Sequence, residues 1–517
     1  MLEKREQWGS KLGVILAVAG SAVGLGNFLR FPAKAVLNGG GAFMIPYFVA
    51  FLLLGIPLMW VEWTLGRMGG ERGHGTAPGI FDKLDGTGRW AKYLGTIGVL
   101  GPFLILIYYM YIESWTLAYA WYSFTGHLPF GGGQADMKAF LSGFQGLAQN
   151  QYFSGLAPAL TFFAITFLLN FYFIYQGVQG GIEKLSKYGM PVLIGIGILL
   201  TIRVLSLGTP DPALPELSVK NALGFVWNPD FSQLGSAKVW IEAAGQIFFT
   251  LSVGIGVILT YASYLKKNDD VALSGLTASA TNEFCEVILG GSIVIPAAFI
   301  FLGGAAGALT AAQSGTFNLG FVTMPMIFGK MPLGALFSGM WFLLLFIAGI
   351  TSSVSLIQPV VSFLEDELKW NRKKSVLTLG LVSLLACLPA IFFLGHGFVD
   401  ELDFWGGTLF LVIFAAIEII LFSWVFGIEK GWQEMHQGAQ MKIPGIYKYI
   451  IKYVTPLYLL ILLGVWSYQQ FWPVLAMKGA APADQPYRWG ARGLVFGLWA
   501  VVIALVAWAW RKRTVIS

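Results

Sequence analysis

Charge is scarce in this sequence: only 12% of its 517 residues are Asp, Glu, Lys or Arg, against 56% hydrophobic residues. Soluble domains carry about twice that share of charge, so a water-soluble globule is excluded. Cysteine is nearly absent, and Cys285 and Cys387 both fall inside hydrophobic segments, which argues against a disulfide framework or a redox role. The four histidines (His74, His127, His396, His436) are scattered through loops without metal-ligand spacing. The alternating ~10-residue pattern of a membrane β-barrel is missing, since the apolar runs continue over ~20 residues. No GxxxxGK[ST] loop appears, no segment between the apolar runs is long enough to fold as a soluble domain, and no nucleophile, base and metal set is clustered. These gaps exclude an ATP-driven pump and an enzyme.

What remains is an all-α polytopic membrane protein. About twelve transmembrane helices can be drawn, at roughly 12–37, 42–67, 90–124, 160–178, 184–206, 239–264, 271–303, 334–368, 374–394, 400–426, 446–470 and 493–511. The first is long and interrupted and lacks a small-residue cleavage site, unlike a secretory signal. Aromatic residues make up 15% of the chain, 19 tryptophans among them, enough to anchor two lipid–water interfaces. The net charge of +6 would suit nucleic acid, but the positions of the charges say otherwise: 23 of the 33 Lys and Arg fall on the side shared by both termini. The positive-inside rule then predicts a multi-pass protein of the inner (plasma) membrane with both termini cytoplasmic, and no nucleic-acid partner. Two loops on the opposite side, 125–159 and 304–333, carry amphipathic patches (Met137–Leu141 and Met324–Phe328) expected to form short helices over an entrance.

The chain is organised around an interruption in its first span, Gly20-Ser21-Ala22-Val23-Gly24-Leu25-Gly26-Asn27. A helix in lipid must satisfy its own backbone, and three glycines and a serine within eight residues weaken that ladder. A second interruption, Ser252-Val253-Gly254-Ile255-Gly256, lies mid-way along the sixth span. Spans one and six would each open a unit of five helices, 12–206 and 239–426, and an odd number of spans per unit inverts the second copy. Paired broken segments in corresponding positions mark secondary transporters with a midplane site. The last two spans, 446–511, are left over and predicted to be peripheral.

A dehydrated sodium ion needs hard oxygen ligands. The first break offers free carbonyls and the Asn27 amide, span six Thr250, span seven Asn282 and Glu283, and span eight the hydroxyl cluster Ala348-Gly349-Ile350-Thr351-Ser352-Ser353. The competing reading for each hydroxyl is a bond back to its own helix. Glu62, Glu113, Glu286 and Glu418 lie within apolar spans, where a carboxylate usually faces the bundle interior. For Glu62, Glu113 and Glu418 the bland reading is a carboxylate capping a broken helix. Glu286, four residues after Asn282, shares its helix face and would sit near a bound ion, balancing its charge or titrating during transport. Charge at the apolar borders supplies gate candidates: Arg30 and Asp403 on the outer side, Arg5 and Asp366 on the inner. Each is equally consistent with an ordinary surface pair.

These residues, taken together, resemble a known family. Trp8, Gly24–Pro32, Asn38–Phe43, Ile45-Pro46-Tyr47, Tyr108-Tyr109 with Glu113-Ser114-Trp115, Gln246–Ser252, Asn282-Glu283 and Asp403-Phe404-Trp405 are similar to the signature of the neurotransmitter:sodium symporters, over about residues 5 to 510. The resemblance implies the leucine-transporter fold, a 5+5 inverted repeat with helices 1 and 6 broken, and sodium-coupled amino-acid uptake by alternating access. It implies two sodium ions. One would meet the Ala22 and Thr250 carbonyls, the Thr250 hydroxyl and the side chains of Asn27 and Asn282. The other would meet the Gly20, Val23 and Ala348 carbonyls with the Thr351 and Ser352 hydroxyls. The substrate carboxylate would lie at the Leu25 and Gly26 amides and the Tyr109 hydroxyl. Its ammonium would lie at the Ala22, Phe249 and Thr250 carbonyls and Ser352. The residues agree with this placement, since a half-helix N-terminus favours an anion and free carbonyls favour a cation.

Gly24 stands where monoamine-carrying members have an aspartate, so the cargo is expected to bring its own carboxylate. Matching positions line an apolar pocket with Ile105, Ile112, Phe249, Ser252, Ile255 and Leu356. Ile255 replaces a phenylalanine and Ser21 an asparagine of the bacterial leucine transporter. Leucine-sized aliphatic side chains are the first expectation, and larger aromatic amino acids such as tryptophan the second. Chloride-dependent relatives carry a serine where Glu286 stands, while Tyr47, Gln246, Thr250 and Asn282 match the rest of that chloride site. The carboxylate would replace the anion, and no chloride requirement is expected. A channel, or a non-transporting amino-acid receptor on the same scaffold, is the alternative class. Bulky Phe249 and Tyr109 beside the breaks favour an occluding lid over an open pore.

Overall fold

The computed structural model describes residues 6–85 and 90–516, so Arg5, together with Lys4 and Arg89 of the charge count, lies outside the described residues. Every regular element among the described residues is a helix. Ten are long and apolar enough to cross a membrane unbroken: Gly41–Glu71, Ala91–Phe124, Ala157–Tyr175, Val178–Leu205, Ala272–Leu302, Gly334–Asp366, Arg372–Phe392, Phe398–His436, Ile446–Gln469 and Gln485–Lys512. An eleventh span is the pair Lys11–Ala22 and Leu25–Leu37, bent by 49°. The remaining expected span, 239–264, consists of two helices, Ala237–Leu251 and Val257–Ala262, each too short to cross by itself.

Burial sorts these spans. The most apolar stretch of the third span is 89% buried within the protein, whereas that of the last is 17% buried and that of the fourth 28%. The third and eighth spans lie side by side along much of their length, and the eighth also packs against both broken spans. The outer spans present leucine, isoleucine and aromatic side chains to lipid, Leu168, Leu199, Leu381 and Ile461 among them.

Both long loops, 125–159 and 304–333, contain the expected helices. Gln134–Phe144 buries Met137, Phe140 and Leu141, and Phe140 packs edge-on against Tyr119 and Tyr122 of the third span. The second loop folds as Gly304–Gln313 followed by Thr316–Gly329, turned at Gly315, whose φ of +99° suits glycine. The last span begins at Gln485, eight residues before the sequence-drawn start at 493. The hydrophobic pattern alone stopped short of Arg492, which the fold buries at 2% exposure.

Candidate functional site

The first break is narrower than the glycine-rich stretch suggested. Only Val23 and Gly24 leave helical geometry, while Gly20 to Ala22 and Leu25 to Asn27 stay helical. The Val23 amide still donates to the Ala19 carbonyl (2.7 Å), and the Gly24 amide donates to Asn27 Oδ1 (2.8 Å), so the second half-helix is capped from within. The Leu25 amide turns towards the Tyr109 hydroxyl, 3.4 Å away. The sixth-span break is wider and coincides with the expected stretch. Ser252, Gly254 and Gly256 all have positive φ (54°, 75° and 80°). The Gly254 amide donates to Glu62 Oε1 at 2.5 Å, so Glu62 does cap a broken helix. Glu418, also fully buried, lies against Glu62. Glu113 has a different partner: Asn170 donates to both its oxygens (3.1 and 3.2 Å).

The two breaks are bound to one another. Asn27 Nδ2 donates to Thr250 Oγ1 (3.0 Å) and to Asn282 Oδ1 (2.8 Å), and the Ser252 hydroxyl donates to the Ser21 carbonyl (3.1 Å). Asn282 Oδ1 also faces the carbonyl oxygens of Ala22 (3.3 Å) and Thr250 (3.2 Å); only a turned amide would put N–H groups there. With the amide turned, its N–H groups donate to both carbonyls and its oxygen accepts from the Thr250 hydroxyl (2.9 Å), so Asn282 ties the two breaks together. Glu286 closes the corner: its carboxylate accepts from Gln246 Nε2 (2.9 Å), from the Tyr47 hydroxyl (3.0 Å) and from Thr250 Oγ1. Tyr47 also reaches Glu283 at 2.7 Å.

A second group of oxygens lies between the first and eighth spans. Ser352 Oγ is 3.4 Å from the Gly20 carbonyl, 3.2 Å from that of Ser21 and 3.0 Å from that of Ala348. The Thr351 hydroxyl bonds within its own helix, to Ile347 and Ala348, but its Cβ faces Gly20. Val23 ends the same half-helix as its C-cap, with its amide bonded to the Ala19 carbonyl.

Above these corners opens a cavity of about 400 Å³. Ala22, Leu25, Gly26, Ile105, Tyr109, Ile112, Phe249, Ser252, Ile255, Ser352 and Leu356 all line it; of the residues expected to touch substrate, only Thr250 lies behind it, at the ion corner. The cavity continues past Arg30 and Asp403 to Thr316 and Phe317 of the loop 304–333. Arg30 lies over the Phe249 ring (4.2 Å), and Asp403 accepts from the Tyr108 hydroxyl (2.6 Å). No ion pair joins the two among the described residues, although both line the cavity. At the other end of the bundle Trp8 is buried, with its indole donating to the Tyr261 carbonyl (2.8 Å), and Asp366 accepts from Ser362 (3.2 Å).

Sequence reasoning missed three features. Tyr108 holds Asp403, and Ser355 pairs with Ser21 at 2.7 Å inside the cavity wall. Neither leaves a mark in a hydrophobic pattern, because each partner lies hundreds of residues away. The third, a buried Glu401–Arg492 pair, was signalled by an arginine at the border of an apolar run.

The site and its scaffold define a helical membrane transporter with a midplane cavity, and the comparisons place it in a family. Residues 5–139 and 151–510 match the profile of the Sodium:neurotransmitter symporter family, and the chain belongs to it. It is therefore a multi-pass, sodium-dependent transporter of a small molecule. It is 33% identical over 470 residues to an uncharacterized sodium-dependent transporter of Methanocaldococcus jannaschii, covering 88% of this chain and 89% of that protein. It is 31% identical over 484 residues to YhdH, an uncharacterized sodium-dependent transporter of Bacillus subtilis, covering 90% and 99%. Among solved structures, MhsT in complex with L-phenylalanine aligns with a TM-score of 0.75 at 31% identity, over 89% of this chain and 99% of that one. The fold is that of the leucine transporter.

Proposed function

We propose that this transporter carries a hydrophobic, zwitterionic amino acid into the cell with two sodium ions by alternating access. The observation that carries the reading is the oxygen corner of Ala22, Asn27, Thr250 and Asn282, set directly behind the cavity. A sodium ion there would touch the substrate carboxylate, which links the two cargoes. Ser352, between the Gly20 and Ala348 carbonyls, supports the second ion. The carboxylate has the Leu25 and Gly26 end of a half-helix and the Tyr109 hydroxyl to receive it. The side-chain end is walled by Ile105, Ile112, Ile255, Leu356 and Leu411, which suits leucine-like chains. MhsT binds L-phenylalanine, and with Ile255 in place of a larger ring the aromatic amino acids are the second reading. Arg30 and Asp403 serve as the outer gate, Arg5 and Asp366 as the inner one. The two five-helix repeats, 12–206 and 239–426, rock about the site, with 446–511 outside them.

The test is uptake into proteoliposomes driven by an inward sodium gradient, competed by each of the twenty amino acids. Accumulation should require sodium and be blocked best by leucine-sized or aromatic competitors. Binding without accumulation would replace the symporter with a receptor. With Glu286 bonded to Tyr47, Gln246 and Thr250, uptake should persist in gluconate buffer. Glu286→Gln should make it chloride-dependent; a variant that works equally well without chloride removes the charge-compensation role.

A further inference from the structure

The last span is mostly exposed to lipid, yet its outer end is tied into the protein by a buried ion pair. Arg492 is 2% and Glu401 1% exposed. The guanidinium meets both carboxylate oxygens, Nε to Oε2 at 3.0 Å and Nη2 to Oε1 at 3.2 Å. Two further N–H groups donate to the carbonyls of Leu475 (2.9 Å) and Val474 (2.6 Å), at the end of the preceding span. Glu401 also accepts from the Trp405 indole (3.2 Å) and lies 3.6 Å from Arg488. One turn earlier along the last helix, Tyr487 stacks on His396 (centroids 4.2 Å apart), and Asp484 bonds its ring at 2.8 Å. Asp484, just before the last helix, and Tyr487, Arg488 and Arg492 within it thus clasp the segment 396–401.

That segment leads straight into the outer gate. Asp403 follows Glu401 by two residues and opens a wide helical turn, Asp403–Leu409, that lines the cavity through Asp403 and Gly407. Asp400, which also lines the cavity, is 4.0 Å from Arg488. A buried arginine with four N–H groups committed across three segments makes them move together.

Resting on the gate assigned to Asp403 above, we propose that Arg492 is a positioning residue: through Glu401 it sets where Asp403 stands, so outer-gate closure is coupled to the outer end of the last two spans. Those spans would then take part in the transport cycle rather than only face lipid.

A cysteine reporter tests this, because both native cysteines are buried. Thr316→Cys, in the outer mouth of the cavity, is labelled in the full-length protein with a membrane-impermeant maleimide, with sodium alone and with sodium plus L-leucine or L-phenylalanine. In the reporter protein, the amino acid should slow labelling; absence of slowing would refute the gate itself, not the clamp. Next, Arg492→Met and Glu401→Gln are combined, removing both charges so that neither is left buried and unpaired. Sodium-dependent binding should stay within about twofold, while the substrate-dependent slowing and the turnover rate fall about tenfold. Closure and turnover equal to the reporter protein overturn the proposal. So does a loss of binding in proportion to turnover, which marks a purely structural pair. Should the double variant not be recovered, Arg492→Lys keeps the charge but loses the fork. It should reduce closure about threefold, and reporter-like closure in it would equally overturn the coupling.

Discussion

The two broken helices solve one problem in two ways. In the first span the chain leaves the helix for two residues without positive φ: Val23 is extended (φ −73°, ψ 92°), as is Gly24 (φ −118°, ψ −166°). Its exposed amide is capped by its own Asn27. In the sixth span three of five residues adopt the left-handed conformation, and the cap comes from another helix, Glu62 of the second span. The first break is thus held locally and the second by the tertiary fold. The difference shows in what each glycine does. Gly254 is required by backbone geometry, since a Cβ there would be strained and 2.7 Å from the Leu411 carbonyl. Gly24 is required by space: its Cβ would stand 3.1 Å from both the Tyr109 and the Ser352 hydroxyl oxygens, where a carboxylate is expected.

Four substitutions set the two breaks against each other. Asn27→Ala removes the cap on Gly24 together with the bonds to Thr250 and Asn282. It should cost about 3 kcal/mol of sodium-coupled binding, roughly a hundredfold. Scintillation binding against sodium concentration measures this, and wild-type sodium dependence would break the shared-ligand idea. Gly254→Ala should act on the fold, lowering stability by about 2 kcal/mol through left-handed strain and overpacking. Thermal unfolding in detergent reads it, and an unchanged midpoint would mean the sixth break is not geometrically constrained. Gly24→Ala should leave that midpoint alone but weaken amino-acid binding about tenfold, since the methyl group takes up ligand space. A loss of stability instead would make the two breaks alike. Ser21→Ala loses only the hydroxyl pair with Ser355 and should shift substrate affinity by about 1 kcal/mol or less. Competition among amino acids of different side-chain size is the measurement.

Much of the site was legible because its signals are local. Glycine clusters inside apolar runs announced both breaks, and Ser252–Gly256 was placed to the residue. The first break was drawn too wide, since Gly20, Ser21 and Gly26 are compatible with a helix once neighbouring spans satisfy them. Twelve spans were countable from hydropathy, yet the sixth survives only as two short helices that owe their place at membrane depth to the spans around them. Glu62 and Glu113 looked equivalent as buried carboxylates. One caps Gly254 and the other holds Asn170, a distinction no spacing contains.

The sequence by itself determined the solvent, the approximate number of crossings and the two places where the backbone is freed. Apolar runs, charge asymmetry and glycine act over a few residues, and lipid admits few alternatives to the helix. Only the tertiary structure decided which groups meet those freed atoms: Asn27 with Thr250 and Asn282, Glu286 with Tyr47, Glu401 with Arg492. These contacts join residues up to 255 positions apart. Such pairing depends on how whole helices pack, and a hydrophobic periodicity carries no record of its neighbour.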